Sequence, residues 1–318
     1  IVNGWNDSFT TTTSLLNPTS FPMTRLGGAG GYMTLPGVAS LSTTDGKIVQ
    51  MSFWYRKTSE SGTVGTFMEL SDSVGQRQFA LRHETDNKLH VQVHQNSPFT
   101  IGAAVGDVTF STALVKDTLY HVLLYVNTAE STATDRIKCF VNGVEETPTV
   151  TTQVALNKVL NFGQGSAAAP AMNVTNIGKS TTGTTNYLLG DLRQFWFSHV
   201  VSDPDVPANL AKFVTGTGAS AASVDLGADG STPTGSIPLV FFNNEFDTFQ
   251  TNLGSGANFT VTGSLVDGGY LDSPNTDALY SSTNFSNPYE IIRSYGNENA
   301  DDSDAMHINT GSGNGPTK

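Results

Sequence analysis

The segment Ile48–Lys57 constrains the fold of this 318-residue chain more than any other part of the sequence. Its residues, IVQMSFWYRK, largely alternate between apolar and polar side chains, and several are β-branched or aromatic. Successive side chains of a strand point to opposite faces of a sheet, so this pattern predicts a β-strand with one buried face. Strands of this kind recur along the chain with no convincing amphipathic helix between them, which predicts an all-β protein.

The strand register of one hairpin can be predicted from the sequence alone. Residues 77–84 and 88–95 flank the turn Thr85-Asp86-Asn87. Pairing across that turn places four apolar side chains on one face: Phe79, Leu81, Val91 and Val93. The opposite face then carries the most polar sheet surface that the sequence predicts: Gln78, Arg82, Glu84, Lys88, His90, Gln92 and His94.

The dipeptide Asn142-Gly143, between two apolar runs, predicts a second hairpin, because both residues tolerate a positive φ angle. Other apolar or alternating runs predict strands at residues 32–35, 66–70, 119–126, 136–141, 159–162, 174–178, 191–198, 239–242 and 259–262. A single helical turn is predicted at residues 208–214.

The charge and composition of the chain exclude some classes of binding partner. The formal net charge is −12 and the sequence pI is about 4.7, without a run of Lys or Arg, which disfavours nucleic acid and anionic lipid as partners. No apolar run approaches the roughly 20 residues that span a bilayer, so we expect a soluble protein. The single cysteine, Cys139, lies in an apolar strand pattern and is expected to be a buried small hydrophobe.

Three segments taken in order resemble the laminin-G-like branch of the concanavalin A-like lectin/glucanase superfamily. They are residues 51–57 (MSFWYRK), 139–144 (CFVNGV) and 190–198 (GDLRQFWFS). The resemblance implies a two-sheet antiparallel jelly-roll sandwich with extended N- and C-terminal arms. We therefore predict four parts: an extended N-terminal arm (1–29), the sandwich (30–216), a β extension packed on the sandwich (217–296) and a polar C-terminal tail (297–318).

A narrower resemblance concerns residues 224–235 (VDLGADGSTPTG), 238–242 (PLVFF) and 256–263 (GANFTVTG). These are similar to the region that follows this domain in structural proteins of tailed bacteriophages. The resemblance implies a virion component that is assembled in the host cytoplasm. Its expected partners are other virion proteins or copies of itself in a homo-oligomer.

Catalysis is not expected. Glucanases of this superfamily place paired carboxylates along one strand, and the spacing Glu-x-Asp-x-x-Glu that they use is absent. The nearest pairs are Glu69 with Asp72 and Glu145 with Glu146, which fall at predicted strand ends or turns, where we expect solvated side chains. The chain is therefore predicted not to be an enzyme and to have no catalytic residues.

A metal site is not predicted either. His90 and His94 share the polar face, whereas His83 points toward the apolar face, so three zinc ligands do not meet. No cofactor is expected. The laminin-G-like resemblance allows a calcium ion to bind at the sandwich rim. Its ligands would be Asp191 or the tail carboxylates Asp301, Asp302 and Asp304.

The candidate ligand-binding residues are Arg82, His90, Gln92 and His94, which could donate hydrogen bonds to hydroxyl groups, with Trp54 or Tyr55 as a stacking platform. The alternatives are a solvated sheet face and aromatic side chains that only pack. The first functional prediction is a non-enzymatic structural or decorating protein of a bacteriophage particle. The alternative is an extracellular or viral carbohydrate-binding adhesion module that recognises host surface glycans, and the third is a polysaccharide-degrading enzyme.

Overall fold

Two antiparallel β-sheets pack face to face in the computed structural model, which describes residues 21–27, 30–35, 41–42, 46–60, 62–72, 77–94, 104–160, 162, 174–181 and 186–271. These residues belong to one unit of the chain, Phe21–Leu271. Most of the predicted N-terminal arm and the whole predicted tail at 297–318 lie outside the described residues. The prediction of an all-β jelly-roll sandwich is confirmed.

Eight strands of the described residues form the first sheet, which we call sheet A: β1 (Phe21–Leu26), β3 (Ile48–Lys57), β8 (Leu119–Asn127), β9 (Ile137–Val141), β10 (Val144–Glu145), β13 (Gly190–Ser198), β16 (Val240–Phe242) and β18 (Val266–Leu271). Their spatial order is β10-β9-β8-β3-β13-β1-β18, and β16 also pairs with β13.

Eight further strands of the described residues form sheet B: β2 (Tyr32–Thr34), β4 (Gly65–Ser71), β5 (Arg77–His83), β6 (Lys88–His94), β7 (Ala104–Ala113), β11 (Pro148–Thr152), β12 (Val174–Ile177) and β17 (Thr260–Thr262). Their order is β11-β7-β6-β5-β4-β12-β2-β17. The remaining elements of the described residues are short: the helix α1 (Pro207–Leu210), two 3-10 turns (Ala133–Arg136 and Gly218–Ser220) and the ribbon of β14 (Val214–Thr215) with β15 (Ala222–Ser223).

The main core lies between the sheets. Alternate residues of β3 point into it, and the ring centroid of Phe53 lies 4.8 Å from that of Phe67 in sheet B and 5.7 Å from that of Phe195 in β13. Sheet B contributes the apolar face of the predicted hairpin, whose register, Phe79 opposite Val93 and Leu81 opposite Val91, is confirmed. His83 also points inward and is buried, as predicted, and Cys139 is buried in the same core.

A second apolar layer covers the outer side of sheet A. Residues 201–226, which we call the cover segment, place Leu210, Phe213 and Leu226 on that side. They pack against a shared set of sheet residues: Leu123, Tyr125, Phe140, Trp196 and Phe241. The prediction that β3 has one buried face is therefore wrong, because Gln50, Ser52 and Trp54 point away from the main core and are nevertheless buried.

The structure also differs from the predicted boundaries. Residues 21–26, assigned to the arm, form β1 in the interior of sheet A between β13 and β18. Strands β16, β17 and β18, assigned to an extension, pair within the two sheets. Residues 159–162 were predicted to be a strand, but of the described residues there Leu160 forms only an isolated bridge with Gly46.

The Asn142-Gly143 hairpin is confirmed, with positive φ angles of 49° and 70° that match a tight two-residue turn between β9 and β10. A bulge in β13 was not predicted. Gln194 adopts a positive φ of 46° there, so that Arg193 and Trp196 both lie opposite outward residues of β3, Trp54 and Ser52. Within the described part of the chain, no helix is long and apolar enough to cross a membrane.

Candidate functional site

The predicted polar surface lies on the outer side of sheet B, across β5, β6 and β7. Arg82 pairs with His90 and Gln92 pairs with Asp107 in neighbouring strands. We call this surface the polar face and define it by Arg77, Gln78, Arg82, Glu84, Lys88, His90, Gln92, His94 and Asp107. Four of the five predicted ligand-binding residues, Arg82, His90, Gln92 and His94, are therefore brought onto one face.

His90 is held between two carboxylates. Its Nδ1 lies 2.9 Å from Glu84 Oε1, in the turn after β5, and its Nε2 forms a short contact with Asp107 Oδ1 in β7. Burial alone would lower the pKa of His90, but the hydrogen bonds to Glu84 and Asp107 outweigh it and the pKa is raised above its ordinary value. Only the imidazolium form can donate to both carboxylates at once, so this arrangement favours protonated His90.

The neighbouring side chains extend this into a continuous network. Arg82 Nε lies 2.5 Å from Glu84 Oε1, and Gln92 Nε2 donates to Asp107 Oδ2 over 3.1 Å. Arg77 reaches Gln92 Oε1 at 3.5 Å. The polar face is thus an array of alternating donors and acceptors whose positions are fixed by contacts across three strands.

His94 differs from His90 although both lie on the same face. Burial first, and then the positive charge of Arg77, lower its pKa to about 4, so His94 is neutral near pH 7. Its ring nitrogen Nε2 has no hydrogen-bond partner among the described residues. His94 can therefore accept or donate only as a neutral imidazole.

Trp54 does not belong to the polar face. It lies in β3 of sheet A, is only 2% exposed, and packs with Met23, Val214 and Ala221. Tyr55 is fully buried in the main core, with its hydroxyl donating to Leu189 O. The predicted stacking platform at Trp54 or Tyr55 is therefore wrong, because the cover segment and the facing sheet enclose these rings.

Two partly exposed aromatic rings lie in or beside β2, outside the polar face. Tyr32 and Tyr187 have ring centroids 6.2 Å apart, and the ammonium of Lys179 lies 4.7 Å and 5.1 Å from the two centroids. Cation–π contacts of this kind hold both rings beside the lysine. No periodic pattern indicates this cluster in the sequence, because Lys179 and Tyr187 pair through an isolated bridge outside the regular strands.

The carboxylates expected to be solvated are mostly buried. Glu69 is fully buried beside Arg77 Nε at 3.0 Å and accepts hydrogen bonds from Ser180 Oγ and Thr181 N. Glu146 accepts from the hydroxyls of Ser111 and Thr112 and from the backbone of Thr112. These contacts join β4 to the loop after β12, and β7 to the turn after β10, so both carboxylates stabilise the fold.

Asp191 is engaged by two arginines. Its oxygens lie 2.7 Å from Arg25 Nε and 2.7 Å from Arg56 Nη2, and its side chain is fully buried. Asp301, Asp302 and Asp304 lie outside the described residues. Within the described ranges, no group of three or more His, Cys, Asp or Glu side chains could hold a metal ion.

Two residues of the polar face, Arg77 and Asp107, are absent from the polar surface predicted from the sequence, and Asp107 is absent because β7 was not recognised. A signal was present: in AVGDVTFSTA, Val108 and Phe110 point inward and alternate with Asp107 and Thr109. Applying the two-residue period there would have placed Asp107 on the face opposite to Val108 and Phe110, and the structure pairs it with Gln92.

Comparisons with known proteins show likeness at the level of the fold. No protein-family model matches the sequence, and no curated protein matches it. Among solved structures, a native heptameric SAP-like pentraxin from Limulus polyphemus is 12% identical with a TM-score of 0.43, over 79% of this chain and 90% of that one. A putative carbohydrate binding protein from Bacteroides ovatus is 12% identical with a TM-score of 0.48, over 78% and 60%.

Domains LG4-5 of the mouse laminin alpha1 chain are similar over 56% of this chain and 41% of that one, at 14% identity and a TM-score of 0.36. The two-sheet antiparallel sandwich of this chain agrees with the fold that the laminin-G-like resemblance implies. At these identities and TM-scores the likeness does not extend to ligands or activity. These proteins do not link the chain to a bacteriophage particle, which stays a prediction.

Proposed function

We propose that this protein is a carbohydrate-binding module that binds glycans with the polar face of sheet B. The observation that carries the proposal is the ion-paired and hydrogen-bonded array of Arg82, Glu84, His90, Gln92 and Asp107 on the outer side of a paired sheet. A sugar hydroxyl both donates and accepts, so a surface that presents fixed donors next to fixed acceptors suits a hydroxyl-rich ligand.

The charges of this surface support a neutral glycan. The network combines three cationic groups, Arg77, Arg82 and protonated His90, with three carboxylates, Glu69, Glu84 and Asp107. Lys88 adds one further positive charge to the polar face. Because these opposite charges largely cancel, the polar face exerts little net electrostatic attraction on a strongly charged ligand, although the net charge of the whole chain is −12. Recognition would then rest on hydrogen-bond geometry.

We propose binding without catalysis. The carboxylates at the polar face already pair with protein groups. Glu84 and Asp107 both contact the imidazole of His90, and Glu69 contacts Arg77, Ser180 and Thr181. A general acid or a nucleophile needs a carboxyl group that is free to meet the scissile bond. Fixed carboxylates of this kind serve better as hydrogen-bond acceptors.

A glycan array followed by calorimetry tests the proposal. The folded chain should bind one or more neutral oligosaccharides, and Gln92→Ala or Arg82→Met should weaken that binding by about 5- to 50-fold, because each removes one or two hydrogen bonds. Gln250→Ala, outside the polar face, is the matched control and should bind normally. Absence of binding on the array, or equal loss in Gln250→Ala, would contradict the proposal.

The role as a structural component of a bacteriophage particle is compatible with this one. It rests on the sequence similarity of residues 224–263 and does not require the polar face. Particles that contain the chain in stoichiometric, symmetry-related copies would support it, and a chain found only as a free monomer would oppose it.

A further inference from the structure

A groove of about 600 Å³ lies on the outer side of sheet A, on the opposite sheet from the polar face. One wall is the β9–β10 hairpin and the other is the cover segment between residues 204 and 217. No feature of the proposed glycan site involves these residues. The volume falls within the range of about 300 to 1,000 Å³ that is typical of ligand pockets.

The two walls are held together by specific contacts. Gly218 N donates to Asn142 O over 2.8 Å, and Lys138 Nζ lies 2.6 Å from Asp205 Oδ2. Gly143 approaches Gly216 so closely that an added Cβ would lie 2.8 Å from the Gly216 carbonyl oxygen. The groove is therefore formed before any ligand arrives, which lowers the entropic cost of binding.

The lining combines an apolar part with an excess of negative charge. Phe140, Leu210 and Val214 line the groove, and they belong to the apolar clusters beneath the cover segment. Lys138 is the cation of the groove, and its side chain is only 12% exposed. Three carboxylates surround its ammonium: Asp205 at 2.6 Å, Asp135 at 3.7 Å and Glu145 at 3.9 Å.

These carboxylates outnumber the lysine and remain about half exposed, so an excess of negative charge faces solvent beside the apolar lining. The raised pKa of Lys138 has the same origin: its burial is outweighed by the hydrogen bond to Asp205 and by the field of the three carboxylates. A ligand that complements this groove must be cationic on one side and apolar on the other.

We propose that the groove binds a polypeptide segment in which Arg or Lys alternates with apolar residues. The cationic side chain would pair with Glu145 and Asp205, and the apolar side chains would pack on Leu210 and Val214. A bare metal ion fits less well, because Lys138 occupies the centre of the carboxylates. A second copy of this chain fits less well because its net charge is −12.

Two synthetic pentapeptides test this directly by NMR titration of the ¹⁵N-labelled full chain: acetyl-Leu-Arg-Leu-Arg-Leu-amide and the matched acetyl-Leu-Glu-Leu-Glu-Leu-amide. The basic peptide should bind saturably and shift the amide signals of Gly143, Glu145 and Thr215. The acidic peptide should not. Binding should weaken when the ionic strength rises, because the charges at the groove are partly solvent-exposed.

The double variant Glu145→Gln/Asp205→Asn should bind the basic peptide about 5-fold more weakly, as expected for two exposed charge pairs. Glu245→Gln, an exposed carboxylate outside the groove, is the control and should bind like the unmodified chain. Equal binding of the two peptides, no saturable binding up to millimolar concentration, or shifts that map to the polar face would each overturn the proposal. None of these results bears on glycan binding by sheet B.

Discussion

The outer faces of the two sheets differ in how they bury their side chains. On sheet A, the cover segment encloses Trp54, Trp196 and Phe241 in an apolar layer. On sheet B, ion pairs and hydrogen bonds that cross the strands connect the charged outer side chains, while His94 Nε2 has no hydrogen-bond partner among the described residues. The same two-residue alternation therefore leads to a second core on one side and to a polar network on the other.

Two histidines express this difference most clearly. His90, on sheet B, has a raised pKa because two carboxylates accept its hydrogen bonds. His121, on the outer side of sheet A, is fully buried under the cover segment, and burial lowers its pKa to about 3. Burial under the cover segment favours the neutral imidazole of His121, whereas two carboxylates favour the protonated imidazole of His90.

The largest effect should come from removing a ring of the covered layer. Trp196 is fully buried, lies 5.1 Å from Phe213 between ring centroids, and donates from Nε1 to Gly230 O at 2.8 Å. Trp196→Ala should lower the free energy of unfolding by about 4 kcal/mol, measured by urea denaturation. Trp196→Phe should recover most of that loss. A cost below about 1 kcal/mol for Trp196→Ala would mean that the cover segment is not a packed layer.

The corresponding change on sheet B is the loss of a charge partner. Arg77→Ala leaves the fully buried carboxylate of Glu69 without its guanidinium at 3.0 Å. Because breaking a buried ion pair leaves an uncompensated charge, the free energy of unfolding should fall by about 3 kcal/mol. The double variant Arg77→Ala/Glu69→Gln should be more stable than Arg77→Ala alone. If the double variant is less stable, the polar face is not held together by this pairing.

The pH dependence of stability should separate the two faces. The pKa of His121 is about 3 in the folded protein and about 6.5 in the unfolded chain. The contribution of His121 to the free energy of unfolding therefore falls by about 1.4 kcal/mol for each pH unit below 6.5. The folded pKa of His90 is raised, so its contribution is fully present below pH 6.5 and is lost as pH rises through that folded pKa.

Denaturation curves between pH 5 and pH 8 check both signs. His121→Asn should reduce the loss of stability on the acidic side, and His90→Gln should reduce the loss on the basic side. The acidic slope should not vanish in His121→Asn, because burial lowers the pKa values of His83 and His94 to about 4 as well. Identical slopes in both variants would contradict the assigned environments.

A smaller effect is expected at the groove of sheet A. Gly143→Ala places a side chain at a φ of 70° and 2.8 Å from Gly216 O, and should cost about 1 to 2 kcal/mol by urea denaturation. Gly235→Ala, at a φ of 74° with open space around it, carries the backbone strain without the clash and is the matched control. Equal costs would show that the two walls do not touch at Gly143.

The sequence predicted the sandwich and much of the polar face because both depend on local alternation. The register of β5 with β6 follows from one turn, and it placed Arg82, His90, Gln92 and His94 correctly on one face. Trp54 was misplaced because its environment depends on Val214 and Ala221, about 160 residues away in the chain. A two-residue period shows which face a side chain takes but not what covers that face.

Long-range pairing explains the other differences. β1 was assigned to an arm because residues 8–23 are rich in Thr, Ser and Pro, yet β1 pairs with β13 about 165 residues later. Glu69 was expected to be solvated because it stands near a strand end, yet Ser180 and Thr181 reach it from the loop after β12. Contacts of this kind leave no local signature in the sequence.

The central claim, that the polar face of sheet B binds glycans, is tested most directly by NMR of the Gln92 side-chain amide. Titration with a neutral oligosaccharide selected on the array should shift that NH₂ signal and the backbone amides of Arg82 and His90, and leave Gly143 and Thr215 in the groove unchanged. Shifts confined to the groove, or binding that leaves the Gln92 amide unmoved, would contradict the account.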